Sequence, residues 1–205
     1  MTAAIRPMIP DDFAACETVA REAFWNVYRP GCVEHLLVRR LETAPETEPR
    51  LAFVADEGGA VVGLVMCAKG LLTWPCGSVT EHLCVGPLAV LPQLQKKGLG
   101  SALMERVLSE ARKLGWESVV LTGSPEYYAR FGFVPAAKHG IFLRGHSPAE
   151  DLPYFMAKEL TDEEIPWYGG FYEDPAVYDV SPDEADAFDT AFPPKVKQKL
   201  PGQLF

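Results

Sequence analysis

The chain has 205 residues, 48% of them hydrophobic and 23% charged, which suits one ordinary globular core with an appendage. Its net charge of −9 argues against non-specific nucleic-acid binding, which rests on phosphate neutralisation by Lys and Arg, and agrees weakly with a cationic partner such as an amine. No apolar run approaches the roughly 20 residues that cross a bilayer, so no membrane partner is expected.

The opening, MTAAIRPMIPDDF, lacks the basic-then-apolar layout of a secretion signal, which makes a cytoplasmic location the default expectation. AIRPMIPDDF reads as a short strand running into an amphipathic helix, DDFAACETVAREAF, with acids at its start. CVEHLLVRRLE reads as a second helical piece. RLAFVADEGGAVVGLVMCAKG then carries two β-branched apolar runs around Gly58 and Gly59, a hairpin pattern, and a loop with Trp74, Pro75 and Gly77 follows. Residues 79–90, VTEHLCVGPLAV, form the next predicted strand. Gly86-Pro87 interrupts it: Pro87 has no N–H for a ladder and Gly often marks a bulge, so the strand should kink away from a neighbour and leave backbone groups free.

From Gly98 to Leu114 the apolar residues Leu99, Leu103, Val107, Leu108 and Ala111 recur on one helical face, and Gly115 is placed to end the helix. WESVVLTG is a further strand, reached in the β-α-β manner that implies parallel pairing. Ser124 and Pro125 have the look of an N-cap and first helical position for PEYYARF, stopped by Gly132, and GFVPA and YFMAKEL supply closing strands. After about residue 161 the composition turns acidic, aromatic and Pro-rich without clear periodicity. A domain over 1–160 and an extension over 161–205 that drapes over the domain or a partner are expected. Five cysteines (Cys16, Cys32, Cys67, Cys76, Cys84) with no CxxC spacing point to reduced, mostly buried thiols rather than a disulfide framework or structural zinc.

The turn QKKGLGS just before the long helix is the most informative stretch. A helix N-terminus offers unpaired N–H groups and partial positive charge. Gly98 and Gly100 allow close backbone approach, and Lys96 and Lys97 add charge, so a diphosphate is the natural guest. A Walker A loop is excluded because no Lys-Ser or Lys-Thr follows the glycines. A dinucleotide fingerprint is excluded because Leu103 stands where the third Gly belongs.

The pattern Q/R-x-x-G-x-G/A, here Gln95 to Gly100, resembles the pyrophosphate loop of the GNAT superfamily, the acetyl-CoA-dependent N-acetyltransferases. The preceding GPLAVLP strand, the later SPEYYARFGF and the opening IRPMIPDDF are similar to other family motifs in the same order. The resemblance covers roughly residues 4 to 160 and looks closest to a bacterial GPLAVLPxxQxxGxGxxL…YYxRFGF subgroup. It implies an α/β fold: a three-layer αβα sandwich around a mixed, mostly antiparallel twisted sheet with a splayed parallel strand pair. It implies acetyl-CoA as acyl donor, an amine acceptor (small molecule or protein amino group), direct attack, and no metal. By that resemblance the N–H groups from Gln95 to Ser101 (Gln95, Lys96, Lys97, Gly98, Leu99, Gly100, Ser101) grip the pyrophosphate. Backbone groups of Leu88, Ala89 and Val90 pair with the pantetheine arm, and a backbone N–H of Val90 or Leu88 polarises the carbonyl.

Tyr128, at the Tyr position of the F/L-Y-x-x-x-G-F pattern, is the general acid. Its phenol stays protonated at neutral pH and can donate to the departing thiolate. Tyr127 is the better candidate for core packing. Ser124 stands where many relatives carry Asn, and either contacts the pantetheine or caps its helix. The place of the catalytic Glu in histone-type relatives falls on Cys84, a poor substitute. Glu81 is the chosen base, with His82 and water as alternatives; alternation puts His82 on the face of Cys84 and Glu81 on the other. His82-x-Cys84 supplies two ligands, which do not make a metal site. The competing reading is a catalytically silent acyl-CoA-binding module, and transfer of a longer acyl chain is a third. The tail aromatics Trp167, Tyr168, Phe171 and Tyr172 have three readings: a pocket wall, a contact in a homodimer, or cover for the core.

Overall fold

Gly58 and Gly59 both take positive φ, at 66° and 90°, and turn β2 (Phe53–Glu57) back onto β3 (Ala60–Thr73) as the expected hairpin. The computed structural model describes residues 3–161 and 169–203; Trp167 and Tyr168 lie outside them. β1 (Ala4–Pro7) pairs antiparallel with β2, and β3 pairs antiparallel with β4 (Val79–Val90). β5 (Ser118–Thr122) runs parallel to β4, and β6 (Val134–Pro135), β7 (Ile141–Leu143), β8 (Phe155–Glu159) and β9 (Gly170–Glu173) complete the described strands. The order across the sheet is β1-β2-β3-β4-β5-β8-β6, mostly antiparallel and not closed, with β9 joined to both β3 and β7.

β3 is 14 residues long, more than one neighbour can cover on its far side. β2 pairs its first half, the segment around Thr47 bonds at Cys67–Lys69, and β9 pairs Leu71–Thr73. The sheet therefore continues past the composition shift at residue 161.

Helices cover both faces. α3 (Leu99–Lys113) buries Leu103, Met104, Val107 and Ala111 against Phe53, Val65, Leu83 and Val85 on one side. On the other, α1 (Phe13–Phe24) and α2 (Glu34–Leu41) bury Cys16, Val19, Ala20, Val38 and Leu41 against Val54, Leu64, Met66 and Ala68. These apolar rows recur at helical spacing, which is why the sequence folds into a three-layer αβα arrangement.

The C-terminal stretch is fastened to α1 and α2 by polar contacts. Ser181 and Glu184 form a capping box that starts α5 (Pro182–Asp189). Asp189 at its end takes a bidentate bond from Arg21 at 2.5 and 3.1 Å, and the Arg21 side chain is almost wholly buried between Trp25 and Phe192. Removing either partner would strand a buried charge, a loss of roughly 3–5 kcal/mol. Further out, Lys195 pairs with Glu22 and Trp25 donates to the Val196 carbonyl.

His35 is buried between Phe188 and Phe192, beside Asp189, and burial brings its pKa down to about 4. His82 is buried as well, with Nδ1 on Ser118 Oγ at 2.7 Å and Nε2 on Thr80 Oγ1 at 3.0 Å, and burial likewise brings it down to about 4. Both rings are neutral in the fold, whereas the unfolded chain protonates them near 6.5. Stability is therefore full above about 6.5 and is lost as pH falls toward 4. The melting temperature is expected to fall from pH 6.5 to 5, above the range where ordinary carboxylates titrate, and His82→Asn is expected to flatten that slope in a fluorimetric melt.

Candidate active site

The parallel pair β4–β5 is joined only at Leu83–Val119 and Cys84–Val120. Beyond Cys84 the two strands separate while β4 runs on to Val90, which opens a fork. The cause lies in the sequence of β4. Val85 faces Cys67 and Leu88 faces Val65, so Gly86 and Pro87 together oppose the single residue Met66. This is a bulge, at the expected position.

On the far side of the bulge the pairing alternation is reset. Leu91 donates to the Val62 carbonyl at 3.0 Å, so Leu91 and Ala89 turn their backbone groups toward β3, and Leu88 and Val90 turn theirs toward the fork. Of the three residues expected to meet a pantetheine arm, Ala89 is thus engaged with β3. The Val90 carbonyl accepts from Gln95 Nε2 at 3.0 Å. Leu88, with both backbone groups, and the Val90 N–H are the outward groups left.

Gln95 has a different part from the one its motif position implied. Its side chain fastens the turn to the end of β4, and its own N–H closes a tight turn on the Pro92 carbonyl. Lys96 and Gly98 take positive φ, 60° and 90°, and Gly98 stands as N-cap of α3 without any side-chain cap. Among the described residues no acceptor takes the N–H groups of Lys96 through Ser101. Lys96 and Lys97 are exposed beside them. The turn is a concave set of N–H donors with two cations at its lip, the arrangement that binds a phosphate chain.

The second arm of the fork carries the aromatic pair on α4 (Pro125–Tyr128). Ser124 precedes the helix, but its hydroxyl makes no capping bond; its carbonyl instead accepts from the N–H groups of Tyr127 and Tyr128 at 3.0 Å each. The Ser124 hydroxyl is left to solvent, which corrects the expectation of a side-chain cap.

The two tyrosines point to different places. The Tyr127 hydroxyl reaches α3, where a methyl group on Gly100 would lie 2.8 Å from it, and Arg130 stacks on its ring. Gly100 is therefore required by the packing of Tyr127 as well as by access to the turn. Tyr128 lies edge-on to Phe133 and Tyr127, and its ring covers Gly123 so closely that a Cβ there would meet Cε2 at 2.2 Å. Burial pushes the Tyr128 phenol above its ordinary pKa, with Tyr127, Tyr28 and Cys84 adding to the shift.

Glu81 separates from His82 and Cys84, as strand alternation required. Glu81 is exposed, pairs with Lys69 at 3.3 Å, and lines a cleft of about 430 Å3 with Leu71, Glu173 and Asp174. It stands three residues before the point where the fork opens, on the sheet face opposite Cys84. His82 is committed to Ser118 and Thr80. Cys84 sits at the vertex of the fork, its thiol held up at about 12 by burial, with the Asp174 carboxylate adding to that. Among the described residues, no three His, Cys, Asp or Glu side chains are grouped to hold a metal ion.

Gly123 and Tyr178, which sequence reading passed over, surround the same vertex, together with Tyr172, whose burial fits the reading as cover for the core. Gly123 seats Tyr128, and Tyr172 and Tyr178 from the C-terminal stretch pack near Cys84. Tyr178 Oη donates to the Gly86 carbonyl at 2.6 Å. Phe171, by contrast, is exposed on β9 while Tyr172 is buried.

A forked sheet with a turn of unclaimed N–H groups at the end of one prong is a geometry suited to an acyl-CoA. Comparison with known proteins agrees: residues 18–133 match the family profile described as "Acetyltransferase (GNAT) family", and the chain belongs to that family of acyltransferases. It is 28% identical to the uncharacterized N-acetyltransferase YhbS of Escherichia coli over 170 residues, 82% of this chain and 94% of that one. It is 31% identical to the uncharacterized N-acetyltransferase YjhQ of the same organism, over 61% of this chain and 69% of that one. The crystal structure of YhbS in complex with CoA superposes with a TM-score of 0.73, at 27% identity over 87% of this chain and 92% of that one. A GNAT family acetyltransferase from Brucella melitensis in complex with acetyl-CoA gives 0.68, at 27% identity over 86% and 98%.

The open turn can be tested directly. Gly98→Val places a β-branched residue at φ 90°, which L residues rarely adopt, and should turn the N–H groups out of line. CoA affinity by calorimetry is expected to weaken at least about tenfold, roughly 1.4 kcal/mol, with the far-ultraviolet circular dichroism unchanged.

Proposed function

We propose that the protein transfers an acetyl group from acetyl-CoA to the amine of an acceptor by direct attack. The observation that carries this reading is the row of unclaimed N–H groups from Lys96 to Ser101, continuous with the outward backbone of β4. In this reading the turn holds the pyrophosphate, Leu88 and the Val90 N–H pair with the pantetheine arm, and the Ser124 hydroxyl flanks it. The thioester then lies at the vertex between Cys84 and Tyr128. The amine nitrogen bonds to the carbonyl carbon, negative charge collects on the carbonyl oxygen near an outward N–H, and the C–S bond breaks.

Tyr128 returns a proton to the leaving thiolate. On solution values a phenol is about 1.5 pKa units above a thiol, which makes the transfer about 2 kcal/mol uphill. Burial that raises Tyr128 raises a thiol in the same place too, so the gap stays small enough for general acid catalysis. The amine's own proton leaves through water. Glu81, paired with Lys69 and away from the fork, serves as the far end of such a relay rather than as a base in contact with the amine. His82, whose two nitrogens are occupied, takes no part in this reading.

Release of CoA thiol with a panel of primary amines tests the reading. Tight acetyl-CoA binding without release for any amine would favour the silent binding module. Tyr128→Phe is expected to lower kcat roughly 10- to 100-fold with acetyl-CoA affinity retained; an unaltered rate would remove it as proton donor. Glu81→Gln is expected to change kcat less than about threefold if water is the immediate acceptor. Gly123→Ala should reproduce much of the Tyr128→Phe loss, because the added methyl displaces the ring while leaving the hydroxyl in the sequence.

A further inference from the structure

The bulge that opens the fork has a partner on the acceptor side of the sheet. Gly86 and Pro87 form the part of β4 with no register partner of their own, and Pro87 has no N–H. Leu88 is the first residue beyond the bulge to offer an outward N–H. Its direction depends on how the bulge is held. One described side chain bonds to the bulge: Tyr178, whose hydroxyl donates to the Gly86 carbonyl at 2.6 Å.

Tyr178 is not a loose contact. It packs against two apolar clusters, one containing Ala89 and the other Cys84, Tyr172 and Leu72, and so bridges them at the vertex. A short turn over Ala176–Tyr178 follows β9, and its ends are fixed: Tyr178 N–H bonds to Pro175, and the next carbonyl, Asp179, accepts from Arg40 on α2. The hydroxyl is thus presented from a rigid base anchored to β9 and α2.

We propose that Tyr178 is a positioning residue of the acyl-transfer site, holding the Gly86 carbonyl so that the Leu88 N–H stays aimed into the fork at the acyl carbonyl. This rests on the acetyltransferase reading above and adds a contributor from outside the motif-bearing part of the chain. The consequence is selective. In that reading CoA is held mainly by the turn after β4 and the Val90 N–H, with the Leu88 carbonyl also on the pantetheine arm, and the Tyr178 hydroxyl touches none of these, whereas the charge that forms during transfer depends on the aim of the Leu88 N–H.

Tyr178→Phe keeps the ring and removes the hydroxyl, and with it the bond to the Gly86 carbonyl and the contact with the Cys84 thiol. Steady-state thiol release, calorimetry with CoA and a thermal melt separate the outcomes. The expected result is a fall in kcat of about tenfold or more, with KM for acetyl-CoA and the CoA affinity within about threefold and the melting temperature nearly unchanged. A purely structural role would instead lower the melting temperature and weaken CoA binding together, and Tyr178→Leu, which also removes the ring, calibrates that pattern. Equal kcat in wild type and Tyr178→Phe overturns the inference while leaving the acetyltransferase reading intact. Wild-type protein that binds acetyl-CoA yet releases no thiol with any amine defeats both.

Discussion

The site proposed above depends on one interruption of hydrogen bonding. A strand inside a sheet spends its N–H and C=O groups on its neighbours, and a protein that wants some of them for a cofactor must break the ladder without breaking the fold. β4 does so with two residues. Gly86 and Pro87 oppose one residue of β3, the register slips, and β5 can follow only as far as Val120. The antiparallel partner on the other side is interrupted only at Met66 and pairs again on both sides of it, from Thr73 to Cys67 and from Val65 to Gly63, so the fold survives the break. The helix that follows then begins with a glycine at φ 90° and no side-chain cap, and the unsatisfied groups continue from the strand into the turn.

The opposite half of the chain holds this opening in shape. α1 and α2 lie across one face, and the C-terminal stretch is locked to them through Arg21 and Asp189, a buried charge pair flanked by aromatic rings. The same stretch contributes β9 to the sheet and Tyr178 to the bulge. An extension that reads in the sequence as an appendage is tied to both the helical layer and the forked strand. One face of the sheet is accordingly covered by two parts of the chain far apart in sequence, α1–α2 and residues 170–189.

The legible parts of the chain are those whose information is local. The Gly58–Gly59 turn, the helical row from Leu99 to Ala111, the parallel crossover and the β4 interruption each follow from spacing or from backbone limits on Gly and Pro, and the structure has all of them. What was not legible depends on contacts across long sequence separations. Ser124 has the composition of a cap, yet the helix it opens is a single turn closed by its carbonyl, so the hydroxyl is not used. Gln95 looked like one more donor and is instead a strut to Val90. β7 and β9 are short, pair with each other in parallel, and have no period that three or four residues could display. Tyr178 lies in acidic, Pro-rich sequence, where nothing local distinguishes a residue that reaches the vertex of the fork from one in solvent.

The coverage of β3 carries a practical consequence for handling the protein. Its outer edge is shared among three separate pieces of chain, and the last of them, β9, comes from beyond residue 169. A fragment cut near the composition change would lose that piece and bare the edge from Leu71 to Thr73, beside the buried Leu72 side chain, as an open template for pairing with another copy. Shortened forms trimmed to the motif-bearing portion should therefore come out of expression as insoluble material, although the excised residues carry no recognisable motif.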